Sequence, residues 1–381
     1  MNRNNRRDEG ATEAGTRVRA EHDTVTIKDV AELAGVSIAT VSRVLNHLGV
    51  VNPDTERKVL SAVAMLNYQR NEVARSLKTR TTKLIGIIAP ELSNTFFSEI
   101  VEQLEKQLGP LGYAMLFCSS QNSVEEERRR LRLLLERNVD ALVVIPASDT
   151  GEHFIGKAFD TTPLVMIDRQ IPGLDVDLVL TDNKKGAYDV TSSLIREGHT
   201  RIGFLGGDLH VHTATERLHG YLSAMHAHGL TVEKNFVLMD GMSQQTGHEV
   251  MRKVLEQEDH PDTFFIVNDM VHVGASSYLY EHGDRAAQEK MVFGAFDYLH
   301  YAPLLRFCHY AVAQPLEQMG EAAAQLLIKR LNGDRSDFPR KIVIPPTIKV
   351  MTANGGILTD DREQAAVAAI EDIPRLDCVF S

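Results

Sequence analysis

The stretch TIKDVAELAGVSIATVSRVLN, Thr26 to Asn46, decides the fold of the N-terminal region. Thr26 stands where a helix needs an N-cap, with Asp29 three residues on, ahead of an apolar face made by Val30, Ala31, Leu33 and Ala34. Gly35 breaks that helix at a position suited to left-handed backbone. Ser37 then caps a second helix, in which Val41, Val44 and Leu45 line one side. Ser37, Thr40, Ser42 and Arg43 fall on the other side, and Ala31 is small where the two helices must approach. This pattern predicts a helix-turn-helix whose second helix enters a DNA major groove, its N-terminus and hydroxyls facing phosphate oxygens. Pro53 opens a third helix with Val59, Val63 and Leu66 as its buried stripe.

Outward from this motif the texture changes on both sides. Residues 1–24 are polar, mixed in charge and without hydrophobic period, the composition of a disordered leader. After Arg80, short β-rich runs alternate with amphipathic helical stretches. The runs are LIGIIAP (84–90), YAMLFCSS (113–120), ALVVIP (141–146), PLVMID (163–168), RIGFLGG (201–207), FFIVND (264–269), MVFGAFD (291–297) and YAVAQP (310–315). Helices are expected at Phe96–Leu108, Val124–Glu136, Ala187–Arg196, Glu216–His228 and Gln244–Glu256. Such alternation implies βαβ units in parallel sheets, with ligands bound beyond the C-terminal strand ends. The series is longer than one sheet needs, so two α/β lobes with a cleft between them are expected. Residues 352–381 form an acidic, Ala-rich C-terminal extension.

Composition narrows the function. The net charge of −11, taken over the whole chain, argues against a nucleic-acid partner. Met1 to Arg80, however, carries 13 Lys and Arg against 10 Asp and Glu, leaving the acidity to the remainder. No apolar run is long enough for a membrane span, and no apolar stretch follows the polar start as a secretory signal would. Three cysteines, Cys118, Cys308 and Cys378, are too few and too distant for a disulfide framework or a zinc site, which fits a reducing cytoplasm.

The segments DVAELAGVS, TVSRVLN and NYQRNEVARSLKTRTTKLIGIIAP closely resemble the lactose-repressor and galactose-repressor family of bacterial transcription regulators. The resemblance runs collinearly from about Thr26 to Val350. It implies an all-α helix-turn-helix headpiece (25–70), a hinge helix and linker (71–82) and a two-lobed core like the periplasmic binding proteins (83–351). The N-lobe is expected at about 83–170 and 315–340, the C-lobe at about 171–314 and 341–351. Thr26, Ser37, Thr40 and Ser42 join a DNA-contact set in which Ile38 and Ala39 take the positions that vary with operator sequence. Those two side chains can offer only apolar contacts, for example to thymine methyls. Arg43 resembles the Arg that reads a guanine edge, and Asn46 an Asn near bases or phosphates. Leu77 matches a leucine that wedges into the minor groove as paired hinge helices form, with Ala74 and Lys78 flanking it.

For the cleft, the resemblance implies an effector set of Phe96, Phe97, Asp149, Thr213, Arg217, Met242 and Asp269. Val211 and Met242 depart from the Arg and Phe of purine-binding members, which favours a sugar or sugar phosphate over a purine. The expected protein is an effector-controlled regulator, acting as a repressor on a pseudo-palindromic double-stranded operator. It is expected to work as a homodimer, with a tetramer as a further level of assembly, and with no cofactor, metal, membrane or catalytic residue. The competing classes are a cytoplasmic sugar-binding module or enzyme on the same core, and a regulator that answers to a protein co-effector.

Bland alternatives stand beside these assignments. Thr26 and Ser37 serve as caps in any case, and Arg217 and Asp269 could form structural ion pairs. The run EEERRR (125–130) reads as a solvated helix face. His210, His212, His219, His226 and His228 lack the spacing of a metal site. Gly206-Gly207 continues into no phosphate-binding motif. Asp182 and Asp297 end apolar runs, as cleft-lining carboxylates do.

Overall fold

The computed structural model describes residues 25–46, 50–69, 81–91, 93–298 and 307–351. The chain divides into two compact units, Met1–Arg80 and Thr81–Ser381.

The first unit contains α1 (Ile27–Ala34), α2 (Ile38–Leu45) and α3 (Pro53–Met65). At the start of α1, Asp29 Oδ2 accepts from both the backbone N and the hydroxyl of Thr26, each at 2.8 Å. Gly35 ends this helix at φ 68°, a left-handed value that costs glycine least. Ser37 caps α2 by accepting from Thr40 N, and Asn52 caps α3 by accepting from Asp54 N with Pro53 beside it. The three apolar stripes close on one another through Val30, Ala31, Ala34, Val41, Val44, Leu45, Val59 and Ala62. Val30, Val41 and Val59 are fully buried. The connection between α1 and α2 is therefore fixed by its glycine and cap, and their packing by the small residues Ala31 and Ala34.

The second unit holds two six-stranded sheets. Its strands are β1 (Leu84–Ala89), β2 (Ala114–Ser119), β3 (Ala141–Val144), β4 (Leu164–Ile167), β5 (Asp177–Thr181), β6 (Ile202–Leu205), β7 (Val237–Leu238), β8 (Thr263–Ile266), β9 (Val292–Phe296), β10 (Cys308–Ala313), β11 (Lys341–Ile344) and β12 (Thr347–Val350). Its helices are α4 (Thr95–Leu108), α5 (Val124–Glu136), α6 (Ala158–Thr161), α7 (Asn183–Arg196), α8 (His212–Ala227), α9 (Gln244–Leu255), α10 (Asp269–His282), α11 (Arg285–Lys290) and α12 (Leu316–Leu331). The first sheet runs β11-β5-β4-β3-β1-β2, with every neighbouring pair parallel. The second runs β12-β10-β9-β8-β6-β7 and is parallel except for β12 against β10.

Both faces of the first sheet are covered, which is why its strands read as continuous apolar runs. Along β1, Ile85 and Ile87 join the core under α4 and α12, while Ile88 joins the one under α5. The second lobe has one large core in which Phe204, Phe264, Phe265, Phe293 and Phe296 are wholly buried.

The lobe boundaries differ from the sequence expectation. β5 and β11 belong to the first sheet, so Asp177–Thr181 and Lys341–Ile344 are N-lobe strands and not C-lobe ones. The chain crosses between lobes after Thr181, after Ala313 and after Ile344. α7 packs into the second-lobe core through Ala187, Val190 and Leu194, and α12 into the first through Met319, Ala323 and Leu327. A strand and the helix after it thus serve different lobes, a pairing that local pattern does not reveal.

EEERRR is only partly a solvated face. Glu126, half-buried, pairs with Arg129 and Arg130 at 3.3 Å, and Glu127 is completely buried. It shares a helix face with Leu131 and Leu134, and it accepts from Ala147 N and binds His153 Nε2, both at 2.7 Å.

Candidate functional site

The C-terminal ends of both parallel sheets open onto one cavity of about 250 Å³. Residues just beyond the strands line it: Pro90 after β1, Asp168 and Arg169 after β4, Asp297 after β9 and Gln314 after β10. This is the place where parallel α/β sheets present ligand-binding groups. Asp168 and Asp297 hold left-handed backbone at φ 68° and 71°, a strained choice for an aspartate that turns each strand end toward the cleft.

Arg217, on α8, is the most heavily braced cation of the wall and is 2% exposed. Its Nε donates to Asn183 Oδ1 and its Nη1 to Val267 O, both at 2.8 Å, and Nη1 lies 3.4 Å from Asp297 Oδ2. The guanidinium stacks 3.7 Å from the centroid of the Phe296 ring. Asp297 Oδ1 also accepts from Gln314 Nε2, whose Oε1 accepts from Thr181 Oγ1, each at 2.5 Å. The network thereby ties two of the three crossovers to the cavity wall.

On the first lobe, Arg169 donates through Nη1 to Pro146 O at 2.9 Å, and its Nε lies 3.7 Å from Asp168 Oδ2. Asp168 Oδ1 and Arg169 Nε on this wall, and Asp269 Oδ2 just behind it, are among the buried polar atoms that have no hydrogen-bond partner within the described residues. Buried polar atoms are rarely left so, which suits a wall that completes its bonding with a polar ligand. Burial pushes the Asp168 carboxyl up to about 6, although Arg217 and Arg169 pull it down. Burial and the nearby Asp297 charge push Asp269 up to about 7. Arg169 is lowered by its own desolvation.

Of the expected effector residues, Phe96, Phe97, Thr213, Arg217 and Met242 line the cavity together. Phe96 and Phe97 meet edge to face, with centroids 5.2 Å apart. Asp269 lies one layer behind: its neighbours Asn268 and Met270 line the wall, and its Oδ1 accepts from the lining Asn94 at 3.4 Å. Asp149 takes a different place. It is absent from the wall and instead faces His210 across the cleft, with Asp149 N donating to His210 O at 3.1 Å and Oδ2 3.9 Å from Nδ1. Asp182 is likewise a helix cap, accepting from Lys185 N at 3.0 Å. Asp168, Arg169 and Gln314 were missed. Asp168 carried the same signal as Asp297, a carboxylate closing an apolar run.

In the first unit, Ile38, Ala39, Arg43 and Asn46 are exposed on α2 and its C-terminal end, as are the caps Thr26 and Ser37. Thr40 and Ser42 are half-buried. Ser37 Oγ and Thr40 Oγ1 share a hydrogen bond at 2.9 Å, and Asn46 Nδ2 donates to Ser42 O at 2.7 Å. An exposed face of one Arg, short polar groups and small apolar side chains can enter a groove without losing its own packing. Ala74, Leu77 and Lys78 lie outside the described residues.

Residues 26–71 match the family described as bacterial regulatory proteins, lacI family. Residues 82–353 match periplasmic binding proteins and sugar binding domain of LacI family. The chain belongs to the LacI family. It is a DNA-binding transcriptional repressor with an effector-binding domain, and not an enzyme. It is 35% identical over 337 residues to the HTH-type transcriptional repressor PurR of Haemophilus influenzae, covering 85% of this chain and 98% of that one. Its fold matches the lac repressor dimer bound to operator and the anti-inducer ONPF, with TM-score 0.77, 24% identity and coverage of 87% and 99%. The CelR–cellobiose complex matches with TM-score 0.63, 27% identity and coverage of 87% and 100%. Among the described residues no helix is long and apolar enough to cross a membrane.

Proposed function

We propose that this LacI-family repressor answers to a sugar or sugar phosphate bound between its lobes, and that it acts as a homodimer on a pseudo-palindromic operator in the cytoplasm. The observation that carries the effector class is the composition of the wall. Asp168, Arg169, Arg217 and Asp297 line a cavity with one aromatic pair, Phe96 and Phe97, while Met242 supplies no second flat face. Carboxylates and guanidinium forks bind the hydroxyls and anionic groups of a sugar, and an aromatic ring covers its apolar side. A purine is better served by two flat faces. The cellobiose named in the CelR complex supports the same class.

Binding across the cleft shifts the angle between the lobes and so the stability of paired hinge segments on DNA. Taking operator occupancy from 99:1 to 1:99 needs a differential affinity of about 5.5 kcal/mol, which two effectors per dimer share. Leu77 is the proposed minor-groove wedge, with Ala74 and Lys78 beside it. Leu77→Ala is expected to weaken operator binding far more than non-specific binding in fluorescence anisotropy; equal losses would refute the wedge.

A thermal-shift panel of sugars, sugar phosphates and purine bases tests the effector class on the full chain. A concentration-dependent rise in Tm with a sugar or sugar phosphate is expected. A rise with purine bases alone would overturn this assignment, and no rise with any compound would direct attention to a protein co-effector.

A further inference from the structure

The N-terminal strand ends of the second sheet face away from the effector cavity, and three potential metal ligands gather there. Glu197 and His199 follow α7 just ahead of β6, and His309 is the second residue of β10. Their candidate donor atoms all lie within 4.8 Å of one another. Glu197 Oε2 is 3.6 Å from His309 Nδ1 and 4.0 Å from His199 Nε2.

The neighbouring groups explain this convergence. His199 Nδ1 is hydrogen-bonded to Thr263 Oγ1 at 2.9 Å, so with the proton on Nδ1 its lone pair sits on Nε2, the atom turned to Glu197. Tyr310 Oη donates to Glu197 Oε1 at 2.7 Å and leaves Oε2 for the two imidazoles. Each of these two side chains thus has its outward atom held and its inward atom free, the arrangement that orients metal ligands. The side chains remain 41%, 28% and 36% exposed, so an ion can enter from solvent.

We propose that Glu197, His199 and His309 form a zinc site on the second lobe. Two imidazoles and one carboxylate suit zinc better than magnesium or calcium, which prefer all-oxygen shells. Zinc bonds of about 2.0–2.2 Å in tetrahedral geometry place ligand atoms roughly 3.3–3.5 Å apart. The observed separations reach that through small side-chain rotations, and water takes the fourth position. The ion joins the segment after α7 to the start of β10, two segments distant in sequence, and stabilises the lobe by mass action.

The test uses the untagged full-length chain stripped of metal with a chelator, and zinc titrated against a chromophoric competitor. Saturable zinc binding is expected, weakened at least about tenfold by His199→Ala or His309→Ala and about 10–100-fold by Thr263→Val, which removes only the outer hydrogen bond. His248→Ala, in a second group where His248 and His282 pack against Tyr278, is expected to leave this binding unchanged. On the unsubstituted chain, which avoids any folding defect of the variants, zinc is expected to shield His199 and His309 from diethyl pyrocarbonate. Absence of saturable binding, binding unchanged in both histidine variants, or protection confined to other histidines would overturn the site.

Discussion

The guanidinium of Arg217 is held between the face of Phe296, 3.7 Å from the ring centroid, and the carboxylate of the next residue, Asp297, at 3.4 Å. One strand end therefore supplies both the apolar and the ionic support for the cation at the cleft wall.

Replacing Arg217 by Ala leaves the half-buried Asp297 beside an emptied space and removes the bonds to Asn183 and Val267 O. Breaking one side of a buried charged network costs about 3–5 kcal/mol. Urea unfolding is expected to show a loss of that size. Arg217→Lys retains the charge without the planar fork, so it is expected to lose effector affinity while keeping more of the stability.

Two buried carboxylates, one on the cavity wall and one just behind it, give the ligand-free protein a specific pH signature. Asp168 and Asp269 sit at about 6 and about 7, raised above their unfolded values near about 3.9. In that interval the folded state holds more protons than the unfolded one, so their contribution falls as pH rises through about 4 to 7. His272, lowered by burial to about 4, acts in the opposite direction as pH drops below about 6.5. The carboxylate effect is isolated by comparison: Asp269→Asn is expected to gain stability relative to the parent chain between about pH 4 and pH 7. A constant difference across that range, measured by denaturation at each pH, would contradict the assignment.

Gly274 places α10 against α9 so closely that a Cβ there would stand 1.9 Å from Gln244 O. The obstacle is backbone and cannot rotate aside, so the helices must separate. Gly274→Ala is expected to destabilise the second lobe by about 1–3 kcal/mol or more, readable as a lowered urea midpoint.

Arg43 is exposed on α2 and free of the headpiece core, so its loss is expected to leave helix content unchanged. Arg43→Ala should cost about 1–3 kcal/mol on the preferred operator and relax discrimination at one base position. Circular dichroism and anisotropy on single-base operator variants check the two halves of that statement.

Local rules were enough wherever one stretch of chain carried the whole signal. The headpiece followed from Thr26, Gly35, Ser37 and Pro53, because caps, left-handed turns and apolar periods act within a few residues. The parallel strands followed from apolar runs such as LIGIIA, since burial on both faces permits no polar alternation. α10 was not anticipated, because Val271, His272, Gly274, Ala275, Ser276 and Leu279 are buried around much of its circumference and no clean stripe results. Resemblance located Phe97, Thr213, Arg217 and Met242, but it could not say that Asp149 faces His210 across the cleft. By itself the sequence determined the local elements and the family. Only the tertiary structure decided which lobe each strand serves, that Glu127 is buried, and that Asp168, Arg169 and Gln314 share a cavity with Arg217. The physical reason is that burial and charge pairing depend on groups brought together from segments far apart in the chain, and those distances are set when the two sheets close around their cores.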